Sequence, residues 1–178
     1  MSHSKCIVSG HYRILLIVLL LSIGLFRVEP ARAQLPEQWH GTWTGTMYIY
    51  RQKALVDSVP VRLTIAKASQ PGVLTWKTEY QSATRPMTKD YTLRVSDASK
   101  GVFITDEGEG TLLMDYQFGN KLYSVFEVDG ILLTATYELR GRELIFEVTS
   151  GKKLSNPTNG VSSYSVDNVQ RVVYRKAP

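Results

Sequence analysis

From Trp39 onward, apolar and polar residues alternate with a period of two, the spacing of strands that bury one face. In "QWHGTWTGTMYIY", Trp39, Trp43, Met47 and Ile49 share one side with Gly41 and Gly45, while His40, Thr42, Thr44, Thr46 and Tyr48 share the other. The alternation runs on through residues 59–65, 74–80 and 91–95, the short "GVFITD", residues 112–118, 122–128, 131–139 and 144–148, and the closing "NVQRVVYRK". These segments predict about ten short strands. Turn signals separate them: "QPG", "DASKG", "DEGEG", "GN", "DG" and "RGR". Asp-Gly and Gly-Asn favour the positive φ angles of tight hairpins, so neighbours in sequence are expected to be antiparallel neighbours in space. The one helical candidate is a turn or two in "LPEQW", where Pro36 suits a first helical position. Residues 150–165, rich in Ser, Asn and Gly, read as a loop at one mouth.

Ten antiparallel strands with one apolar face each must hide that face. A meander of hairpins does so best by closing into an up-and-down barrel, which leaves no free edges. The predicted fold is therefore all-β, an antiparallel up-and-down β-barrel of about ten strands. A barrel wider than eight strands is hard to fill with side chains and tends to hold a cavity. The inferred inward faces carry Trp76, Tyr80, Tyr91, Met114, Tyr116, Phe118, Phe126, Tyr137 and Phe146. Such a set, apolar with several hydroxyl tips, suits an amphipathic ligand; the alternative is that these groups fill the core and leave a structural or protein-interaction module. Arg62 and Arg94 alternate outward.

The N-terminal part changes the composition. Lys5 and Arg13 precede an apolar run of 13 residues, 14–26, and "ARA" at Ala31, Arg32 and Ala33 offers small residues where a signal peptidase reads. This predicts a signal peptide over 1–33 and a single domain over 34–178, secreted or periplasmic, with no stable membrane anchor after cleavage. Four of the 21 basic residues and one of the 16 acidic ones belong to the leader, so the formal charge falls from +5 to +2 without it. No basic run beyond Lys152-Lys153 and Arg175-Lys176 remains, which argues against nucleic-acid binding. The single cysteine, Cys6, leaves as well, so stability rests on the core alone and a monomer is expected.

Reactive residues are scarce. After residue 33 there is one histidine, His40, and no cysteine; thiol chemistry, His-activated nucleophiles and His/Cys metal cages have no residues to build on. No catalytic residue, metal site or cofactor is expected. His40 reads as a strand residue at the barrel floor. The turn "DEGEG" offers Asp106, Glu107 and Glu109 but lacks the spacing of a calcium loop, and reads as a solvated hairpin turn.

Gly41-Thr42-Trp43, preceded by a short turn, resembles the Gly-x-Trp motif on the first strand of lipocalins and related calycins. The resemblance implies a barrel whose tryptophan, here Trp43 beside Gly41, plugs the closed end under an arginine from the last strand, here Arg171 or Arg175. It also implies a small lipophilic ligand in the interior. Fatty-acid-binding proteins of this superfamily insert a helical pair after the first strand, for which "RQKALVDS" is too short. Nitrobindin-like haem proteins are similar in outline but use a histidine near the C-terminus, and no histidine follows His40.

Overall fold

The alternation closes on itself. The computed structural model describes residues 35–155 and 159–178, and the expected leader, 1–33, lies outside them. Among the described residues ten strands form one closed antiparallel barrel: β1 (Gly41–Arg51), β2 (Ala54–Lys67), β3 (Val73–Tyr80), β4 (Met87–Asp97), β5 (Val102–Gly108), β6 (Thr111–Phe118), β7 (Lys121–Val128), β8 (Ile131–Arg140), β9 (Glu143–Lys152) and β10 (Asn168–Lys176). Each strand pairs with its sequence neighbours, and β10 returns to β1. The "LPEQW" candidate is a single 3₁₀ turn, Glu37–Trp39, and Pro36 stands at its N-cap, one residue before the first helical position expected for it. "RQKALVDS" holds a tight turn at Gln52, with φ of 54°, and the start of β2. At Asp129-Gly130 both φ values are positive, 51° and 76°, which matches the right-handed twist of β7 and β8.

The end of the barrel nearer the N-terminus of β1 is sealed. Trp39, Trp43, Leu63, Ile65, Leu144, Val172 and Tyr174 are buried there, each such side chain contributing about 1.5–3 kcal/mol by leaving water. The Trp43 indole N–H donates to the Trp39 carbonyl at 2.9 Å, so the plug is also satisfied. Gly41 and Gly45 permit this closeness: a Cβ on Gly45 would stand 2.7 Å from the Val173 carbonyl oxygen, and one on Gly41 2.7 Å from Lys176 Cε.

The cover over Trp43 is a lysine. In register Trp43 pairs with Lys176 and Thr44 with Arg175, so Lys176 shares the inner face with the plug and both arginines point away. Lys176 Nζ sits 5.1 Å from the Trp43 ring and donates to the Gln38 carbonyl at 3.2 Å. Arg171 and Arg175 instead meet Glu147 and Glu143 on the outer surface, at 2.8 and 3.3 Å. The expectation that either arginine covers the plug is corrected by this parity, which Val172 and Tyr174 set by turning inward.

The seam between β6 and β7 is short. Its register spans only Asp115↔Ser124 to Phe118↔Lys121, although β6 pairs with β5 from Thr111 and β7 with β8 to Val128. Residues 111–114 and 125–128 therefore face each other across the upper wall without a ladder.

Candidate functional site

The upper half of the barrel is hollow. A cavity of about 210 Å³ is walled by inward residues of β3 to β10. Its floor is an aromatic series that continues from the plug. Trp39 and Trp76 have ring centres 6.4 Å apart, the Trp76 ring meets Tyr137 edge-on at 5.0 Å, and Tyr137 lies 4.6 Å from Phe146. Tyr80, Tyr91 and Phe126 continue the wall upward. A larger hollow of about 330 Å³ at the closed end is rimmed by Leu35, His40, Lys67 and the loop Ala68 to Gly72. Its polar lining is His40, Lys67 and loop groups.

Opposite the aromatic wall is a polar spot built by β5, β6 and β7. Asp115 is 9% exposed. Its Oδ2 accepts the Thr105 hydroxyl at 2.6 Å. Burial raises its pKa to about 6, although the Thr105 hydroxyl pulls the other way, and the nearby Glu107 adds a smaller push upward. Ser124, its cross-strand partner, is close enough to help lower that pKa, but its single proton goes to the Met114 carbonyl at 3.1 Å. The Thr105 backbone N–H also favours the charged form; the Thr105 hydroxyl takes Oδ2 and leaves Oδ1 to other donors. Nearer the mouth, Lys89 and Glu107 also line the cavity, and Lys89 Nζ lies 5.5 Å from the centre of the Tyr91 ring. Burial pushes the Tyr91 phenol up to about 12, with Glu107 adding to it. Burial also raises Tyr80 and Tyr137, so all three hydroxyls stay neutral donors in any ordinary solution.

No protein-family model matches the sequence, and no curated protein matches it. Solved structures do. The chain is similar to the S-type phycobiliprotein lyase CPES from Guillardia theta, at 6% identity and TM-score 0.58, over 80% of this chain and 90% of that one. It is similar to Rv2717c from M. tuberculosis, at 14% identity and TM-score 0.54, over 83% and 99%. A protein of unknown function of the DUF3598 family from Nostoc punctiforme matches at 12% identity and TM-score 0.57, over 81% of this chain and 49% of that one. The fold is calycin-like.

On this calycin-like barrel the residues expected to face the interior divide. Trp76, Tyr80, Tyr91, Phe126, Tyr137 and Phe146 line the cavity. Met114 and Tyr116 do not; they are 41% and 43% exposed on the outer face, with Phe118 at 69%. The inner face of β6 carries Leu113 and Asp115, a one-residue shift from the expected register. Arg62, as expected, faces out and lies 3.7 Å from Glu79, and Arg94 is exposed. The residues not anticipated are Asp115, Thr105, Ser124, Lys89 and Glu107. Lys89 and Ser124 carried a usable signal: Lys89 lies two residues from Tyr91, and Ser124 lies between Leu122 and Phe126, all on expected apolar faces.

Proposed function

We propose that this protein is an exported, lipocalin-like binding protein that holds one small lipophilic molecule inside its barrel. The observation that carries this reading is the cavity itself, an aromatic wall of Trp76, Tyr91, Tyr137 and Phe146 facing a small set of polar groups. Binding sites have that composition: apolar surface for affinity, a few fixed polar groups for orientation. The volume, about 210 Å³, falls below the roughly 300 Å³ at which drug-sized pockets begin, and so favours a compact ligand. Export rests on the leader-like residues 1–33. One similar barrel is a phycobiliprotein lyase, so catalysis is compatible with the fold. Here the cavity lining includes no histidine or cysteine, which supports binding over histidine-based or thiol chemistry.

Native mass spectrometry of gently purified protein, before and after organic extraction, tests this. A single adduct that extraction removes supports the carrier. A bare mass together with no uptake of neutral apolar probes sinks it.

A second reading, a docking module, is favoured by one feature: Leu112, Met114, Tyr116 and Phe118 form an exposed apolar row along β6. Phe118→Lys separates the two. The carrier keeps its ligand with this change, whereas a docking partner is lost.

A further inference from the structure

A buried carboxyl is expensive unless something answers it. Asp115 is nine-tenths buried, accepts the Thr105 hydroxyl at 2.6 Å, has the Ser124 hydroxyl and the Thr105 backbone N–H close by, and lines the cavity. No basic group of the described residues forms an ion pair with it. Around the cavity the charged groups are two carboxyls, Asp115 and Glu107, against one ammonium, Lys89, and no arginine is among the lining residues. The opposite wall presents aromatic rings, which attract cations through their faces.

We propose, resting on the reading of the cavity as a ligand site, that its ligand is a compact amine. One protonated nitrogen donates to Asp115 Oδ1, the oxygen that the Thr105 hydroxyl does not take, and the ligand's ring lies against Trp76, Tyr91 and Tyr137. A carboxylate-headed lipid fits poorly. Its head would meet Asp115 and Glu107, and to reach Lys89 it would sit at the mouth with too little depth below for a long tail.

Binding should depend on pH in one direction. The groups that face Asp115 are Thr105 and Glu107 on β5, Lys89 and Tyr91 on β4, Tyr80 on β3 and Tyr137 on β8, with Ser124 on β7; β9 and β10 contribute Phe146, Val148 and Gln170. The phenols stay neutral, since burial raises all three. Asp115, held up to about 6, loses its proton as pH rises from 5 to 8, while a simple alkylamine stays protonated. Amine affinity should therefore rise over that interval and level off above it.

The test titrates the full-length protein with three probes of one skeleton, phenethylamine, 2-phenylethanol and 3-phenylpropionate, following tryptophan fluorescence and calorimetry. At pH 8 the amine is expected to bind about tenfold more tightly than the alcohol, a difference of ~1.4 kcal/mol, with the acid weakest. Asp115→Asn should erase the amine's advantage while keeping the near-ultraviolet circular dichroism of the fold, and Asp115→Glu should retain part of it. The proposal is overturned if the acid binds best, if Asp115→Asn keeps the preference, or if amine and alcohol bind alike. In the last case the cavity still binds and only the amine preference fails. If no probe enters, the reading of the cavity as a ligand site fails with it.

Discussion

At the scale of single residues, the barrel keeps a group that weakens it. An aspartate whose pKa rises on folding, from the usual 3.8 to about 6, favours the folded state only while protonated. That contribution is complete below about pH 4 and is lost as pH climbs through about 6. The cost at neutral pH is on the order of 2–3 kcal/mol. Asp115→Asn should therefore raise the melting temperature at pH 8 by several degrees and change it little at pH 4; equal shifts at both pH values would remove the argument. At the plug, Lys176→Ala should cost about 1 kcal/mol through the lost stacking on Trp43 and the lost bond to Gln38. Arg175→Ala, whose partner Glu143 is met on the surface, should cost under about 0.5 kcal/mol. Urea denaturation of both variants checks the pair, and the reverse order would restore an arginine cover. Trp43 as plug was legible through the resemblance of Gly41-Thr42-Trp43 to the calycin Gly-x-Trp motif. Its cover is written in the alternation of β10, where the inward parity of Val172 and Tyr174 puts Lys176 and neither arginine on the plug's face.

At the scale of elements, β6 explains why part of the site stayed hidden. "TLLMDYQF" offers two faces: Leu112, Met114, Tyr116 and Phe118, or Leu113, Asp115 and Gln117. Hydrophobicity alone chooses the first, and the structure turns the second inward. The pattern rule assumes that the inner face is dry core. A barrel that holds a ligand needs polar groups inside, so the rule fails where the site is. Strands β2, β3, β4 and β9, whose inward faces are packed by Leu63, Trp76, Leu93 and Leu144, read correctly for the same reason. The short β6–β7 seam has its own consequence. Amides in residues 111–114 and 125–128 that point across the unladdered gap should exchange with solvent faster than amides in β1 and β2, which are paired along 11 positions from Gly41 to Arg51. Hydrogen exchange followed by mass spectrometry or NMR measures this, and equal protection on both sides would mean the seam closes in solution.

At the scale of the whole molecule, one end of the barrel is sealed and the other is hollow. Glycines, a plug tryptophan, Tyr174 and Lys176 seal the floor. Above it, aromatic side chains and Asp115 surround space that the chain leaves open. Ten alternating segments and their turns were enough to find the closed meander, because period and turn chemistry are local. The exact walls of the cavity were not, because they depend on register across strands. The proposed carrier role requires this interior to bind a small lipophilic molecule. Ala135, inward on β8 and part of the cavity wall, offers the most direct test. Titration of 2-phenylethanol should quench Trp76 saturably at one site per chain in the unaltered protein. Ala135→Phe, which fills the cavity from its wall, should weaken that binding at least about tenfold, ~1.4 kcal/mol, while leaving the fold intact by circular dichroism. Saturable binding that Ala135→Phe leaves unchanged, or no binding at all, would contradict the account.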